Sequence, residues 1–155
     1  MQTANKPVIH KRRILRLTFC FIAALSLVAT VTSALAQDSD VLGLWRTQTN
    51  DEGSYLHVDI RRCDSNKFCG VIIEAFRKGD EKIENYENAG KRIIWAMKVQ
   101  GGGKWAGGRI WAPDTNKTYR SKMTLQADGA ELKVSGCIAG GLICRSQKWT
   151  KADAG

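Results

Sequence analysis

The segment 117–137, KTYRSKMTLQADGAELKVSGC, decides the fold of this chain. Small or apolar residues alternate with charged or polar ones over its first half, with Tyr119, Ser121, Met123 and Leu125 on one face and Arg120, Lys122 and Thr124 on the other. The run 131–134, ELKV, alternates in the same way after an Asp128-Gly129 turn signal. A period of two is typical of half-buried strands, so the segment predicts two antiparallel strands.

The same pattern repeats along the chain. Counting the alternating runs gives eight candidate strands, at about 42–48, 54–63, 69–76, 93–99, 104–112, 117–126, 130–137 and 144–150. Short strands linked by turns favour an all-β antiparallel meander, and closing eight of them into a small up-and-down barrel removes the exposed sheet edges. The charged segment 77–92 breaks the pattern, and we expect a loop or short helix over one barrel end.

The two ends of the meander carry residues suited to closing a barrel. Gly43-Leu44-Trp45 opens the first predicted strand, and Arg145 and Trp149 lie in the last one. These strands are neighbours in a closed meander, so we expect Trp45 and Trp149 to plug the interior and Arg145 to lie over an indole ring. A Gly-x-Trp paired with a basic residue in the last strand resembles the signature of the lipocalin and fatty-acid-binding (calycin-like) superfamily.

Residues 1–36 have the pattern of a secretory signal peptide. A basic stretch containing Lys11, Arg12 and Arg13 precedes an apolar run, and Ala34-Leu35-Ala36 supplies small residues for cleavage. Cleavage there predicts a periplasmic or secreted protein with one barrel domain over 37–155 and no integral membrane segment. The alternative is a retained membrane anchor, since the apolar run is about 18 residues long.

The net charge of +9 says little about partners by itself. Five of the 24 Lys and Arg residues lie in the leader, which holds no acid, so the rest of the chain carries 19 basic against 15 acidic residues. Nucleic-acid binding predicts a concentrated basic stripe with interleaved aromatic residues, whereas pairs such as Arg61-Arg62 and Arg77-Lys78 are scattered. We therefore expect no nucleic-acid partner, and we expect a monomer.

Four cysteines follow the leader, and four cysteines allow three connectivities. Disulfides are the default in an exported protein, and Cys63/Cys69 and Cys137/Cys144 each bracket a predicted turn. We predict the disulfides Cys63–Cys69 and Cys137–Cys144, each worth about 2 kcal/mol by the loop-entropy argument. Neither pair is Cys-x-x-Cys and His57 lies outside both turns, so we expect no metal, redox dithiol or cofactor.

Several motifs, taken in order, resemble those of the domain of unknown function 2147 family of small exported bacterial proteins. They are Val41-Leu42-Gly43-Leu44-Trp45, the Cys63–Cys69 pair with Gly70-Val71-Ile72, Lys104-Trp105-Ala106-Gly107-Gly108-Arg109-Ile110, Pro113-Asp114 with Lys117-Thr118-Tyr119, Leu132-Lys133-Val134-Ser135-Gly136 and Arg145-Ser146-Gln147-Lys148-Trp149-Thr150. The resemblance covers residues 41 to about 151 and implies an exported lipocalin-like barrel with no established reaction. The segment 79–84, GDEKIE, departs from the Pro- and Asp-containing loop of the family, so a ligand held there need not be shared.

Two polar residues are candidates for catalysis. His57 alternates away from Leu56 and Val58, so we expect a surface residue rather than a general base. Glu74 with Asp59 on the adjacent strand is a conceivable carboxylate pair for glycoside hydrolysis, but the solvent-facing interpretation is favoured. The sequence also lacks a Gly-x-Ser-x-Gly elbow, so we expect no enzymatic activity.

The candidate ligand-binding residues are Trp95, Trp105, Arg109 and Trp111. Alternation predicts Trp95 in the core and Trp105, Gly107, Arg109 and Trp111 on one face of the next strand. An indole–Arg–indole row suits a flat or sugar-like ligand or a protein partner, and the alternative is surface cover for a small barrel. Gly107-Gly108 inside a strand also indicates a β-bulge.

The favoured function is a non-enzymatic binding module of the cell envelope, with an apolar or amphipathic ligand inside the barrel or at its mouth. This hypothesis predicts an internal cavity lined by Trp95, Met97, Met123 and Leu125. If side chains fill the interior instead, the alternative is a solid barrel that acts through its surface, as an inhibitor or accessory subunit of an envelope protein.

Overall fold

The computed structural model describes residues 40–64, 66–126 and 128–153, and the predicted signal peptide lies outside these described residues. The described residues form the strands β1 (Gly43–Arg46), β2 (Tyr55–Asp64), β3 (Lys67–Arg77), β4 (Glu81–Lys82), β5 (Arg92–Val99), β6 (Lys104–Ala112), β7 (Lys117–Leu125), β8 (Glu131–Ile138) and β9 (Ile143–Lys151). A 3₁₀ turn, Ala139–Gly141, connects β8 to β9. The eight strands other than β4 fall where alternation predicts them.

Eight of the strands close into an antiparallel barrel. The strands β1, β2, β3 and β5 to β9 each pair with the next in the chain, and β9 returns to β1 with Trp45 opposite Lys151. The two-residue strand β4 adds to the edge of β3, where Phe76 lies opposite Lys82. The predicted eight-stranded up-and-down barrel is confirmed, because neighbouring barrel strands follow one another along the chain and the last pairs with the first.

Large apolar side chains fill the barrel interior. Trp45, Trp105, Trp149 and Phe68 have no exposed surface, and they pack in one cluster with Val41, Val58, Ile60, Ile72, Ile93, Ile94, Met97, Met123, Leu125, Leu132 and Val134. Full burial of one such side chain stabilises the fold by roughly 1.5–3 kcal/mol. The interior is therefore a packed hydrophobic core that supplies most of the driving force for folding.

A cation–π contact closes the barrel between β9 and β1. The Nζ of Lys151 lies 4.6 Å from the centroid of the Trp45 ring and donates to the carbonyl oxygens of Asp40, at 2.8 Å, and Leu42, at 2.6 Å. The Nε1 of Trp45 donates to the Val41 carbonyl oxygen at 2.8 Å. Partial burial among these groups lowers the pKa of Lys151. The first-strand indole is thus held by a cation beside its ring and by a hydrogen bond at its polar edge.

The basic residue over this indole is not the one predicted. Arg145 is exposed and lies opposite Gly136, whereas the register of β9 places Lys151 beside Trp45. The predicted position of Arg145 at the closure is therefore wrong, although a cation from the last strand does take that place. Gly43 begins β1 with a φ of +105°, a conformation that favours glycine.

Both predicted disulfides are present. Cys63–Cys69 joins the ends of β2 and β3 across their tight turn, with a sequence separation of 6. Cys137–Cys144 joins β8 to β9, where the two cysteines are directly opposite each other, with a sequence separation of 7. Each bond lies near the tip of its hairpin and fixes the register of the two strands there.

Residues 77–92 follow the free edge of β3 and contain no helix. The N–H of Gly90 donates to the Ile72 carbonyl at 2.8 Å, and the N–H of Ile72 donates to the Lys91 carbonyl at 3.0 Å. Tyr86 packs against the core from this segment. Together with β4, the segment supplies hydrogen bonds to the part of β3 that continues beyond the start of β5.

Candidate functional site

Two β-bulges decide which side chains of β5 and β6 reach the outer surface. On β6 the pairing with β7 shifts between Ala106 and Gly108, and Gly107 has a φ of +79°. On β5 Ala96 has a φ of +58°. Gly108 permits the close approach of the two strands, because a Cβ there would lie 2.5 Å from the Trp95 carbonyl oxygen. Each bulge adds a residue to its strand and reverses the alternation beyond it.

The bulge on β6 divides the predicted indole–Arg–indole row. Trp105 is in the core, with its ring centroid 5.9 Å from that of Phe68 and no exposed surface. Arg109 is exposed and Trp111 is half-buried beyond the bulge. The predicted Gly107-Gly108 bulge is confirmed, but the prediction that Trp105 shares a face with Arg109 and Trp111 is wrong.

Trp95 lies outside the barrel rather than in the predicted interior position. Ile94 is fully buried, and successive strand residues point to opposite faces, so Trp95 points outward, opposite the exposed Arg109. Met97, Met123 and Leu125 are packed in the core. The predicted cavity lined by Trp95 and these three residues is therefore wrong, because Trp95 stands on the other side of the barrel wall.

Trp95, Arg109 and Trp111 are nevertheless neighbours on the outer side of β5 and β6. The Nε1 of Trp111 donates to the side-chain oxygen of Asn116 at 2.9 Å, and the Nζ of Lys91 lies 5.9 Å from the Trp111 ring centroid. Trp95 faces Arg109 across the two strands. Three of the four predicted ligand-binding residues are thus brought together, with Lys91 beside the Trp111 ring and Arg109 opposite Trp95 in the strand pairing.

A groove of about 420 Å³ lies next to them, between β6, β7 and the 3₁₀ turn. We call it the basic groove, and its lining residues are Ala106, Gly107, Gly108, Arg109, Arg120, Ser121, Lys122, Cys137, Gly140 and Gly141. Arg109 lies opposite Arg120, so two guanidinium groups are adjacent across the strands. Within the described residues, Arg109, Arg120 and Lys122 form no ion pair with a carboxylate. The groove therefore concentrates positive charge that the fold leaves uncompensated.

The strands that carry the groove are strongly basic as a whole. Residues 88–126 contain one acidic residue, Asp114, against eight basic ones: Lys91, Arg92, Lys98, Lys104, Arg109, Lys117, Arg120 and Lys122. Residues 51–87 contain nine acidic residues against six basic ones. The basic residues are spaced along the chain, but the barrel places β5, β6 and β7 side by side. The depletion of acids over 88–126 is the sequence signal that could have located this face.

A second polar cluster lies on the outer side of β2 and β3. His57 is opposite Glu74, with Nδ1 3.6 Å from Oε2, and the Nζ of Lys82 donates to Oε1 of Glu74 at 2.6 Å. Burial lowers the pKa of His57, and the hydrogen bond from Lys82 lowers the pKa of Glu74. Asp59 lies opposite Val71 instead of meeting Glu74. Sequence reasoning weighed His57 and Glu74 separately and missed that they are partners.

The His57 side chain is enclosed by aromatic rings rather than by a cleft. Its ring centroid is 4.6 Å from that of Phe76 and 5.7 Å from that of Tyr55. Tyr55 stacks on Phe76 at 4.8 Å and donates its hydroxyl to Asp80 at 2.8 Å. The cluster ties β2, β3 and the following segment together, which is a structural role.

Neither a metal centre nor a membrane-spanning helix is found in the described ranges. No three His, Cys, Asp or Glu side chains of 40–64, 66–126 and 128–153 are grouped closely enough to hold a metal ion. Over the same stretches, no helix is long and apolar enough to cross a membrane. The four cysteines there are all in disulfides.

The fold and its outer groove define a small disulfide-bonded barrel of the lipocalin-like class. Residues 43–151 match the family described as uncharacterized proteins conserved in bacteria (DUF2147), and the chain belongs to that family. This agrees with the resemblance noted in the sequence motifs.

One solved structure supports the fold assignment. Protein HP1028 from Helicobacter pylori, described as belonging to the lipocalin family, matches with a TM-score of 0.58 and 15% identity, covering 72% of this chain and 82% of that one. A redesigned β-barrel matches with a TM-score of 0.47 and 14% identity, covering 79% of this chain and 100% of its own. No curated protein matches the chain. At 15% identity, the similarity to HP1028 shows the fold alone.

Proposed function

We propose that this protein is exported to the bacterial cell envelope, where it binds an acidic amphipathic molecule on its outer surface without catalysis. The observation that carries the proposal is the basic groove, in which Arg109, Arg120 and Lys122 surround a recess of about 420 Å³. Cations around a concave site attract an anion and donate charge-assisted hydrogen bonds to it. The adjacent rings of Trp95 and Trp111 can cover the apolar part of the same ligand.

Packing favours the outer surface over the interior. An internal ligand would have to displace side chains such as Trp105 and Met123, which are at most 1% exposed. Moving core side chains of this size out of place costs several kcal/mol, whereas the groove is open without any rearrangement. The ligand-binding candidates Trp95, Arg109 and Trp111 are therefore retained, and Trp105 is assigned to the core.

The chemistry of the groove supports binding rather than turnover. Its lining residues include no His, Asp or Glu, so it offers no group for proton transfer near neutral pH. His57 and Glu74 lie on other strands, and the carboxylate of Glu74 is already paired with Lys82 at 2.6 Å. Both disulfides are compatible with an oxidising compartment such as the periplasm.

The test is a titration of the oxidised protein, purified after export, with decyl phosphate. Decyl maltoside is the matched ligand, since it has the same alkyl chain and a neutral head. We expect decyl phosphate to bind more tightly, because only its head can pair with Arg109 and Arg120. Isothermal titration calorimetry gives both affinities, and NMR shift changes locate the site.

The double variant Arg109→Ala/Arg120→Ala should weaken decyl phosphate binding by at least about tenfold. Its control is Arg61→Ala/Lys78→Ala, which removes two exposed cations outside the groove. The proposal would be contradicted if decyl phosphate and decyl maltoside bound equally tightly. It would also be contradicted if the two double variants lost the same affinity for decyl phosphate. If no amphiphile binds and crosslinking at Trp111 captures an envelope protein instead, the inhibitor or accessory-subunit hypothesis replaces it.

A further inference from the structure

We infer that the β8–β9 hairpin tip inserts into the surface of a bilayer that contains anionic lipid, while the cations of the basic groove contact the lipid headgroups. The inference rests on the proposed function, because it uses the same groove and identifies its ligand as a headgroup presented by a membrane. We call residues 138–143, IAGGLI, the apolar tip.

The apolar tip holds three of the four large hydrophobic residues that are strongly exposed among the described residues. Leu142 is 89% exposed, Ile143 62% and Ile138 54%. The remaining large hydrophobic residue with high exposure in 40–64, 66–126 and 128–153 is Ile73, at 43% on β3. Contiguous exposed apolar side chains on a small soluble barrel mark a site of interaction, whereas a lone one needs no explanation.

The tip is held in place by the covalent frame beneath it. Cys137 and Cys144 are directly opposite and disulfide-bonded, and Ile138 faces Ile143 one position further out. Ala139, Gly140 and Gly141 turn the chain with positive φ angles of 49°, 71° and 102°. No tip residue belongs to the hydrophobic core. The apolar side chains are thus preorganised for a partner, which reduces the ordering cost of binding.

Positive charge surrounds the base of the tip. Gly140 and Gly141 line the basic groove together with Arg109, Arg120 and Lys122, so tip and cations meet at one edge of the barrel. The hairpin adds the exposed Arg145, which lies two strand positions from the Ile138–Ile143 pair. An apolar tip with basic residues behind it matches the layering of an anionic bilayer, whose phosphates lie above its acyl chains.

The size of the patch favours a bilayer over a protein partner. A stable protein–protein interface buries about 1,200 Å² or more around a central apolar core. Three aliphatic side chains without an exposed aromatic anchor at the tip are a poor core of that kind, and hot spots are enriched in Trp, Tyr and Arg. Shallow insertion of a few aliphatic side chains, combined with headgroup attraction, is how peripheral proteins attach reversibly to membranes.

The experiment is co-sedimentation of the oxidised protein with phosphatidylcholine vesicles, with and without phosphatidylglycerol. We expect binding only when phosphatidylglycerol is present, and we expect added salt to weaken it. Leu142→Ser/Ile143→Ser should reduce vesicle binding by about tenfold, since it removes the inserting side chains. Ile73→Ser is the matched control, because it removes an exposed aliphatic residue from another strand. Thermal unfolding verifies that each variant is folded.

The decyl phosphate titration separates this inference from the proposed function. If the protein binds decyl phosphate but not anionic vesicles, the groove binds a free amphiphile and membrane insertion is overturned. Equal vesicle binding by wild type and Leu142→Ser/Ile143→Ser also overturns it, since the tip would then play no part. If neither decyl phosphate nor vesicles bind, the proposed function fails as well.

Discussion

Two hairpins of this barrel each contain one disulfide near the tip, and they differ in the side chains that the tip exposes. In the β2–β3 hairpin Cys63–Cys69 spans a separation of 6 residues, and in the β8–β9 hairpin Cys137–Cys144 spans 7. The first tip is polar, with Lys67 donating to Asp64 at 2.8 Å, and it leads directly into the buried Phe68. The second tip places Leu142 in solvent.

The difference separates folding from function. Phe68 contributes to the core next to its disulfide, so the β2–β3 bond fixes the register of strands that the fold requires. No residue of the apolar tip belongs to the core, so the β8–β9 bond orders side chains from which the core gains nothing. Aliphatic side chains exposed to water are unfavourable in free energy, and we infer that these are exposed because they take part in binding.

Replacement of an apolar residue in each hairpin should give the largest contrast. Phe68→Ala removes a fully buried ring, and we expect it to lower the free energy of unfolding by about 3–5 kcal/mol. Leu142→Ala removes an exposed side chain and should change stability by no more than about 0.5 kcal/mol. Urea unfolding followed by tryptophan fluorescence measures both. A large destabilisation by Leu142→Ala would show that the tip packs on the barrel.

Removal of each disulfide tests the comparison of the two hairpins through an intermediate loss of stability. Cys63→Ser/Cys69→Ser and Cys137→Ser/Cys144→Ser should each destabilise the protein by about 2–3 kcal/mol, because the two closed loops are nearly equal in length. Only the second variant should lose affinity for anionic vesicles, since only that bond positions the apolar tip. Similar loss of vesicle binding in both folded variants would contradict the division of roles.

The smallest expected effect is a loss of stability on acidification, which should arise in the β2–β3 hairpin. Burial lowers the pKa of His57 below 6.5 in the folded protein, so the unfolded chain binds more protons as the pH falls past that value. Stability should therefore decline as the pH decreases below 6.5, and His57→Gln should flatten that decline. The measurement is urea unfolding from about pH 7 to about pH 5.

The pH range of this experiment ends above the pH at which Glu74 would affect stability. The pKa of Glu74 is lowered below 4.5 by Lys82, so its contribution to stability is present above 4.5 and is lost only at lower pH. The segment 132–150 of the other hairpin contains no His, Asp or Glu. An unchanged slope in His57→Gln would mean that His57 is equally solvated in the folded and unfolded chains.

Much of the fold could be predicted because its determinants are local. Alternation marked the eight strands, turns containing glycine, asparagine or aspartate separated them, and the spacing of Cys63/Cys69 and Cys137/Cys144 selected the disulfides. Each of these signals depends on residues that are close in sequence. The two largest errors concern the faces on which Trp95 and Trp105 lie, because those faces depend on how neighbouring strands pair.

A strict period of two fails wherever a bulge adds a residue to one strand. Glycine is a residue type expected at a bulge, so the sequence predicted the one at Gly107. Alanine is not, yet Ala96 adopts a positive φ, and the bulge there places Trp95 on the outer face. A register shift beside His57 likewise sets the pairing of β2 with β3, in which Glu74 lies opposite His57 and Asp59 lies opposite Val71. The position of one bulge therefore redirects every side chain beyond it.

By itself, the amino-acid sequence determined the strand pattern, the barrel class, the family and the cysteine pairs. The tertiary structure decided which basic residue covers Trp45, which tryptophans face outward, and that Arg109, Arg120 and Lys122 meet beside the apolar tip. The physical reason is that strand formation and hairpin disulfides follow from neighbours along the chain. A binding face is instead assembled across several strands, and its composition depends on registers and bulges that only the closed barrel sets.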